Sequence, residues 1–95
     1  MNRVNSLIAY LKLSSGGINL TVIDVRIVAQ VALKANATSL ILCHNHPSGS
    51  VKPSSRDIEI TKKIKEGLQL LDIELIDHII YCENTYYSLK DEGNF

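Results

Sequence analysis

The chain alternates between apolar runs and amphipathic stretches, and each change of period marks an element. Val4 to Leu13 is rich in apolar, branched and aromatic residues (Leu7, Ile8, Ala9, Tyr10, Leu11) and reads as a strand. Ser14-Ser15-Gly16-Gly17 is a turn signal, and Ile18 to Val22 is a second short strand or an extended lead-in. Asp24 is an N-cap candidate for a first helix, with Val28, Val31, Ala32 and Ala35 at helical spacing and Gln30, Lys34 and Asn36 on the polar face. Thr38 to Cys43 is short, apolar and bounded by polar residues, as a buried central strand is. From Ser54 to about Leu71 the helical period returns. Ile60, Ile64, Leu68 and Leu71 form one stripe, and Arg56, Glu59, Lys62, Lys63 and Glu66 form a solvated face. Glu59 and Lys63 are an i, i+4 pair in the favourable order. Asp72 breaks the helix and Ile73 to Tyr81 is a strand. Cys82-Glu83-Asn84 then turns into a closing strand, Thr85 to Leu89. The polar tail Asp91 to Phe95 is expected to fray.

These elements predict an α/β fold: a mixed β-sheet flanked by two helices, in the order strand, strand, helix, strand, helix, strand, strand. The one-sided apolar stripes dock the helices on the sheet.

Composition narrows the class. The 95 residues make a single domain, 1–95, and a hydrophobic content of 45% is too high for disorder. Ten Lys and Arg balance ten Asp and Glu, which argues against a dedicated nucleic-acid surface while leaving room for a local patch. Cys43 and Cys82 are far apart, with no C-x-x-C spacing, so reduced thiols and a cytoplasmic location are expected. No stretch reaches the roughly 18–20 apolar residues needed to span a bilayer, and Asn2, Arg3, Asn5 and Ser6 interrupt any signal-peptide core. An exposed edge beside the first strands would pair with another chain, so a homodimer is a reasonable expectation.

The chemistry gathers between Cys43 and Asp57. His44 and His46 sit at i and i+2, so in extended backbone both point to one side. Zinc favours imidazole nitrogen and carboxylate oxygen, and Asp57 supplies a carboxylate if Pro47, Gly49 and Pro53 fold the chain back. Three protein ligands leave a fourth position for water, the pattern of a catalytic site. Each residue also has a plainer role. A histidine pair is often polar surface. Ser54-x-x-Asp57 resembles a capping box with Asp in place of Glu, which is compatible with metal binding. Ser54 alone is a cap. Cys43, next to His44, points the other way as a buried thiol. Thr61, one turn after Asp57, either orients it or packs the helix. Asp77 and His78 face opposite sides of their strand. His78 is a fourth ligand, a support for one, or a buried hydrogen-bonded core group.

His-x-His, seven residues, Ser, two residues, Asp is the zinc signature of the JAMM (JAB/MPN) metallopeptidase-like domains, whose architecture is cytidine deaminase-like. Here it runs His44, His46, Ser54, Asp57 without gaps. His44-Asn45-His46-Pro47-Ser48-Gly49, Pro53-Ser54, Thr61 and Leu75-Ile76-Asp77-His78-Ile79-Ile80 resemble the RadC-like branch, over nearly the whole chain. The resemblance implies His44, His46 and Asp57 as Zn2+ ligands. It implies Ser54 as the catalytic serine that hydrogen-bonds the zinc water or the oxyanion, and peptide or isopeptide hydrolysis of a protein substrate. The family draws its general-base glutamate from an upstream strand. This chain has no match for it, since its first glutamate is Glu59, and it looks N-terminally truncated relative to the family pattern. The alternative is a catalytically inactive metal- or partner-binding domain. A DNA-repair association rests on the family's naming alone.

Overall fold

Ser39-Leu40-Ile41-Leu42-Cys43-His44-Asn45 forms the middle of a sheet, and the other elements are arranged about it. The computed structural model describes residues 6–13, 25–46 and 51–95. Their order is β1 (Ile8–Leu13), α1 (Val25–Lys34), β2 (Ser39–Asn45), α2 (Ser55–Gln69), β3 (Glu74–Cys82) and β4 (Thr85–Ser88). The strands lie in the order β1-β2-β3-β4. β1, β2 and β3 run parallel, and β4 returns antiparallel to β3. This is the α/β architecture, a mixed sheet with two helices, that the periodicity predicts. The expected second strand, the turn before it, the Asp24 cap, and the Pro47 and Gly49 turn fall outside the described residues.

Successive parallel strands that advance in one direction, joined by right-handed crossovers, place both helices on the same face. One core results: Val28 and Ala32 of α1, Leu40 and Leu42 of β2, Ile64 and Leu68 of α2, Leu75 of β3 and Leu13 of β1. The inner face of the sheet follows from the pleat. Leu11, Leu42 and His78 are register partners, and so are Leu13, His44 and Ile80.

The register slips once between β2 and β3: Leu40 faces Leu75, but Ile41 faces Asp77. Ile76 is therefore an extra residue, a β-bulge. A regular strand with Leu75 inward would turn Asp77 and Ile79 inward as well. The bulge reverses the parity. Leu75, His78 and Ile80 are buried, whereas Asp77 and Ile79 are only half-buried.

Several sequence expectations are corrected. Ser6 and Leu7 precede β1 instead of extending it, and Thr38 precedes β2, where its hydroxyl exchanges hydrogen bonds with the backbone of Leu7. α2 ends at Gln69, Asp72 turns away with φ 59°, and Leu71 is exposed. Ile73 fills the core position instead. Ala35 is exposed because α1 has already ended at Lys34. Cys43 does point away from His44 but is half-buried, and both cysteines are free thiols. The tail is held rather than frayed. Asn94 Nδ2 donates to the Tyr87 hydroxyl at 2.6 Å, and Lys65 Nζ donates to the Phe95 carbonyl at 3.1 Å while lying 4.3 Å from the centroid of its ring. These contacts bind the last residues to α2 and β4. Among the described residues no helix is long and apolar enough to cross a membrane.

Candidate metal centre

The site lies where β2 ends and α2 begins, at the carboxyl end of parallel strands, where α/β sheets place their ligands. The pleat turns His44 inward, and it is buried. His46, just past the strand, is held by its backbone N–H, which donates to the Tyr81 carbonyl at 3.1 Å. The two rings meet edge to face with centroids 4.6 Å apart, so the i, i+2 spacing does bring them together.

Asp57 arrives from the first turn of α2, fixed by a complete capping box. Ser54, with extended φ −78° and ψ 164°, is the N-cap. Its hydroxyl accepts from Asp57 N–H at 3.0 Å, and Asp57 Oδ2 accepts from Ser54 N–H at 2.9 Å. The carboxylate sits at the positive end of the helix dipole and is buried. Its Oδ2 lies 3.9 Å from His46 Nε2. Two donors on one tetrahedral zinc, each at about 2.0–2.1 Å, are about 3.3–3.4 Å apart. A shift of about half an ångström would bring this pair to ligand spacing.

Behind these residues stands a second layer. Thr61, one turn after Asp57, donates its hydroxyl to the Asp57 backbone carbonyl at 2.6 Å. The same oxygen lies 2.7 Å from His78 Nδ1. Thr61 thus grips the backbone of Asp57 rather than its carboxylate, and ties α2 to β3. The His78 ring is fully buried and stacks on His44 with centroids 6.0 Å apart. Burial, and then the neighbouring His44, push the His78 pKa down to about 4. Burial, and then His46, also lower His44, against the pull of Asp57. Both rings are therefore neutral near pH 7, the form in which imidazole binds metals. Asp77 faces the other side. Its carboxylate accepts from His78 N–H at 2.7 Å, Lys90 N–H at 3.1 Å and the Ser88 hydroxyl, a structural anchor for the β3–β4 hairpin.

The donor set fits zinc chemically: two imidazoles and one carboxylate, brought to one place by a strand end and a helix start. Within those residues no three His, Cys, Asp or Glu side chains are grouped tightly enough to hold an ion as they stand. His46 and Asp57 are paired, and His44 abuts His46. Sequence reasoning underrated Thr61 and left His78 among several roles. The bulge at Ile76 decides between the two faces for His78, and its only sequence trace is the interruption of an apolar strand by Asp77-His78.

The model of the RadC-like JAB domain matches residues 1–94. A UPF0758 protein of Flavobacterium johnsoniae is 50% identical over 95 residues, covering 100% of this chain and 42% of its own length. Those of Alkaliphilus metalliredigens and Clostridium acetobutylicum are 45% and 43% identical over 93 residues, each covering 98% of this chain and 40% and 41% of their own lengths. The chain thus spans about 42% or less of the curated relatives named here. By the agreement of this family match with the fold, the chain belongs to the RadC-like JAB domain family, and its domain is of the JAMM type.

Proposed function

We propose that the chain holds one zinc ion on His44, His46 and Asp57 and serves the hydrolysis of a peptide or isopeptide bond in a protein substrate. The 3.9 Å approach of His46 Nε2 to Asp57 Oδ2 carries this reading, since the capping box and the strand end deliver the two donors to one place from separate elements. Zinc bound there supplies Lewis acidity and makes water a nucleophile at neutral pH. The chain's own residues do the rest. His44 and His46 would each give a ring nitrogen to the ion, and the Asp57 carboxylate would offset part of its charge. Ser54 uses an oxygen lone pair to cap α2, which leaves its hydroxyl proton free to donate to the oxygen that gains charge on a carbonyl under attack. That donor stands at the start of a helix, where the dipole also favours negative charge.

A second reading has its own observation. Within these 95 residues the first glutamate is Glu59, on the exposed side of α2, and none precedes His44. If no base reaches the site from elsewhere, the same scaffold would bind metal or a partner without turnover. The two readings separate in a hydrolysis assay on fluorogenic peptides and isopeptide-linked substrates, using zinc-loaded protein beside His46→Ala. Cleavage that needs His46 and is abolished by a chelator supports the hydrolase. Zinc uptake with no cleavage selects the binding domain. Cleavage that persists in His46→Ala overturns the assignment of the site.

A further inference from the structure

Two ring nitrogens buried on the inner face of the sheet have no hydrogen-bond partner among the described residues, His44 Nδ1 and His78 Nε2. They belong to rings that stack at 6.0 Å with 29° between their planes. The proton positions can be worked out from Thr61. Its hydroxyl carries one proton, and the Asp57 carbonyl at 2.6 Å can only accept, so the proton points there. His78 Nδ1, 2.7 Å from the same oxygen, must then be the donor. A neutral imidazole has one N–H, so His78 Nε2 is a bare acceptor, fully buried. A buried acceptor seeks a donor. The nearby group with a nitrogen to offer is His44, whose Nδ1 is equally unpartnered.

We propose that His78 is a positioning residue for the metal centre: its Nε2 accepts the Nδ1–H of His44 through one bridging water, which fixes His44 as the Nδ1–H tautomer with Nε2 left as the metal donor. Metal-binding histidines almost always donate their second N–H to an acceptor that sets the ring's tautomer and orientation. Here the acceptor is a histidine, itself set by Thr61, which is set in turn by the carbonyl of Asp57. The chain Asp57–Thr61–His78–His44 therefore links two proposed ligands through the protein. The bulge at Ile76 has a function in this arrangement, since a regular β3 would turn His78 to the opposite face.

Only the last step, donation to metal, rests on the zinc reading, so the test has a metal-free arm. In the 15N-labelled native chain at pH 7.5, long-range 15N–1H correlation is expected to find His44 and His78 both protonated at Nδ1. His44 protonated at Nε2 overturns the proposal. Thr61→Val frees His78 Nδ1 and should leave both rings as tautomer mixtures; an unchanged His44 spectrum counts against the link. In competition titrations with a chromophoric chelator, His78→Phe should bind zinc about 10–100-fold more weakly. His78→Gln, which keeps an acceptor, should recover most of that loss, which a purely structural role would not explain. Native-like zinc affinity in a folded His78→Phe chain also overturns the proposal. Should His78→Phe fail to fold, the native and Thr61→Val spectra decide. A native chain that takes up no zinc defeats the zinc reading, while the tautomer pair stands or falls on its spectrum.

Discussion

Asp57 has two roles that one pair of substitutions can separate. As the third residue of α2 it accepts the Ser54 N–H at 2.9 Å, and as a proposed ligand it faces His46 at 3.9 Å. Asp57→Ala removes half of the capping box, a loss of about 1 kcal/mol, since Ser54 is exposed and its N–H can turn to water. It also removes a negative charge from the helix N-terminus, about 0.5 kcal/mol more. The sum, roughly 1.5 kcal/mol, corresponds in a domain of this size to a Tm about 6–12 °C lower. Asp57→Asn keeps an oxygen where Ser54 N–H needs one and loses only the charge, so its Tm should fall by about 2–4 °C. Zinc affinity should not follow that order, because both variants lack the anionic donor and both should lose the ion. Melting curves of the metal-free proteins, paired with zinc titrations, test the two roles separately. An Asn variant as unstable as the Ala variant refutes the capping argument. An Asn variant that binds zinc as the native chain does refutes the ligand assignment.

Other outcomes follow from the same geometry. His78 has a folded pKa of about 4 against an ordinary 6.5, so the unfolded chain takes up its proton first as the pH falls. Its contribution is complete above pH 6.5 and declines towards pH 4; urea unfolding of the metal-free chain should give roughly 2 kcal/mol less stability at pH 5 than at pH 7.5, with a shallower slope in His78→Gln. Stability that does not change across that window would contradict the burial of a neutral ring. A Cβ at Gly67 would lie 2.7 Å from Val25 Cγ1, where α2 meets α1. Gly67→Ala should therefore cost about 1 kcal/mol despite its gain in helix propensity, and adding Val25→Ala should recover most of it, as urea midpoints would show. Asp77→Ala should cost about 2–3 kcal/mol and speed amide exchange at His78 and Lys90, whose N–H groups it receives.

The sequence carries the parts of this fold that depend on local periodicity. The apolar run Leu40 to Cys43, the stripe Ile64–Leu68 and the break at Asp72 are legible because burial imposes a period of 2 on strands and about 3.6 on helices. The capping box is legible too, because Ser54 and Asp57 answer backbone groups within one turn. What could not be read is set by contacts between elements. The bulge at Ile76 depends on how β3 registers against β2, and its only trace in the sequence is Asp77-His78 interrupting an apolar run. Hence Asp77-His78 gave the alternation but not which of the two faced α2. For Thr61 the spacing leaves orientation of Asp57 and helix packing both open, and helix geometry decides by putting its hydroxyl on the carbonyl four residues back. The tail has the composition of a fraying end, yet Lys65 and Tyr87, remote in sequence, hold it.

The central claim is that the end of β2 and the start of α2 make a zinc site, and metal content tests it most directly. Elemental analysis of the purified chain, before and after zinc is supplied and excess removed, should give about one zinc per chain, lost in both His46→Ala and Asp57→Asn. A native chain that retains no zinc after loading, or variants that retain it as fully as the native chain, would contradict the account and leave the stretch from His44 to Asp57 as a capped turn at the end of a strand.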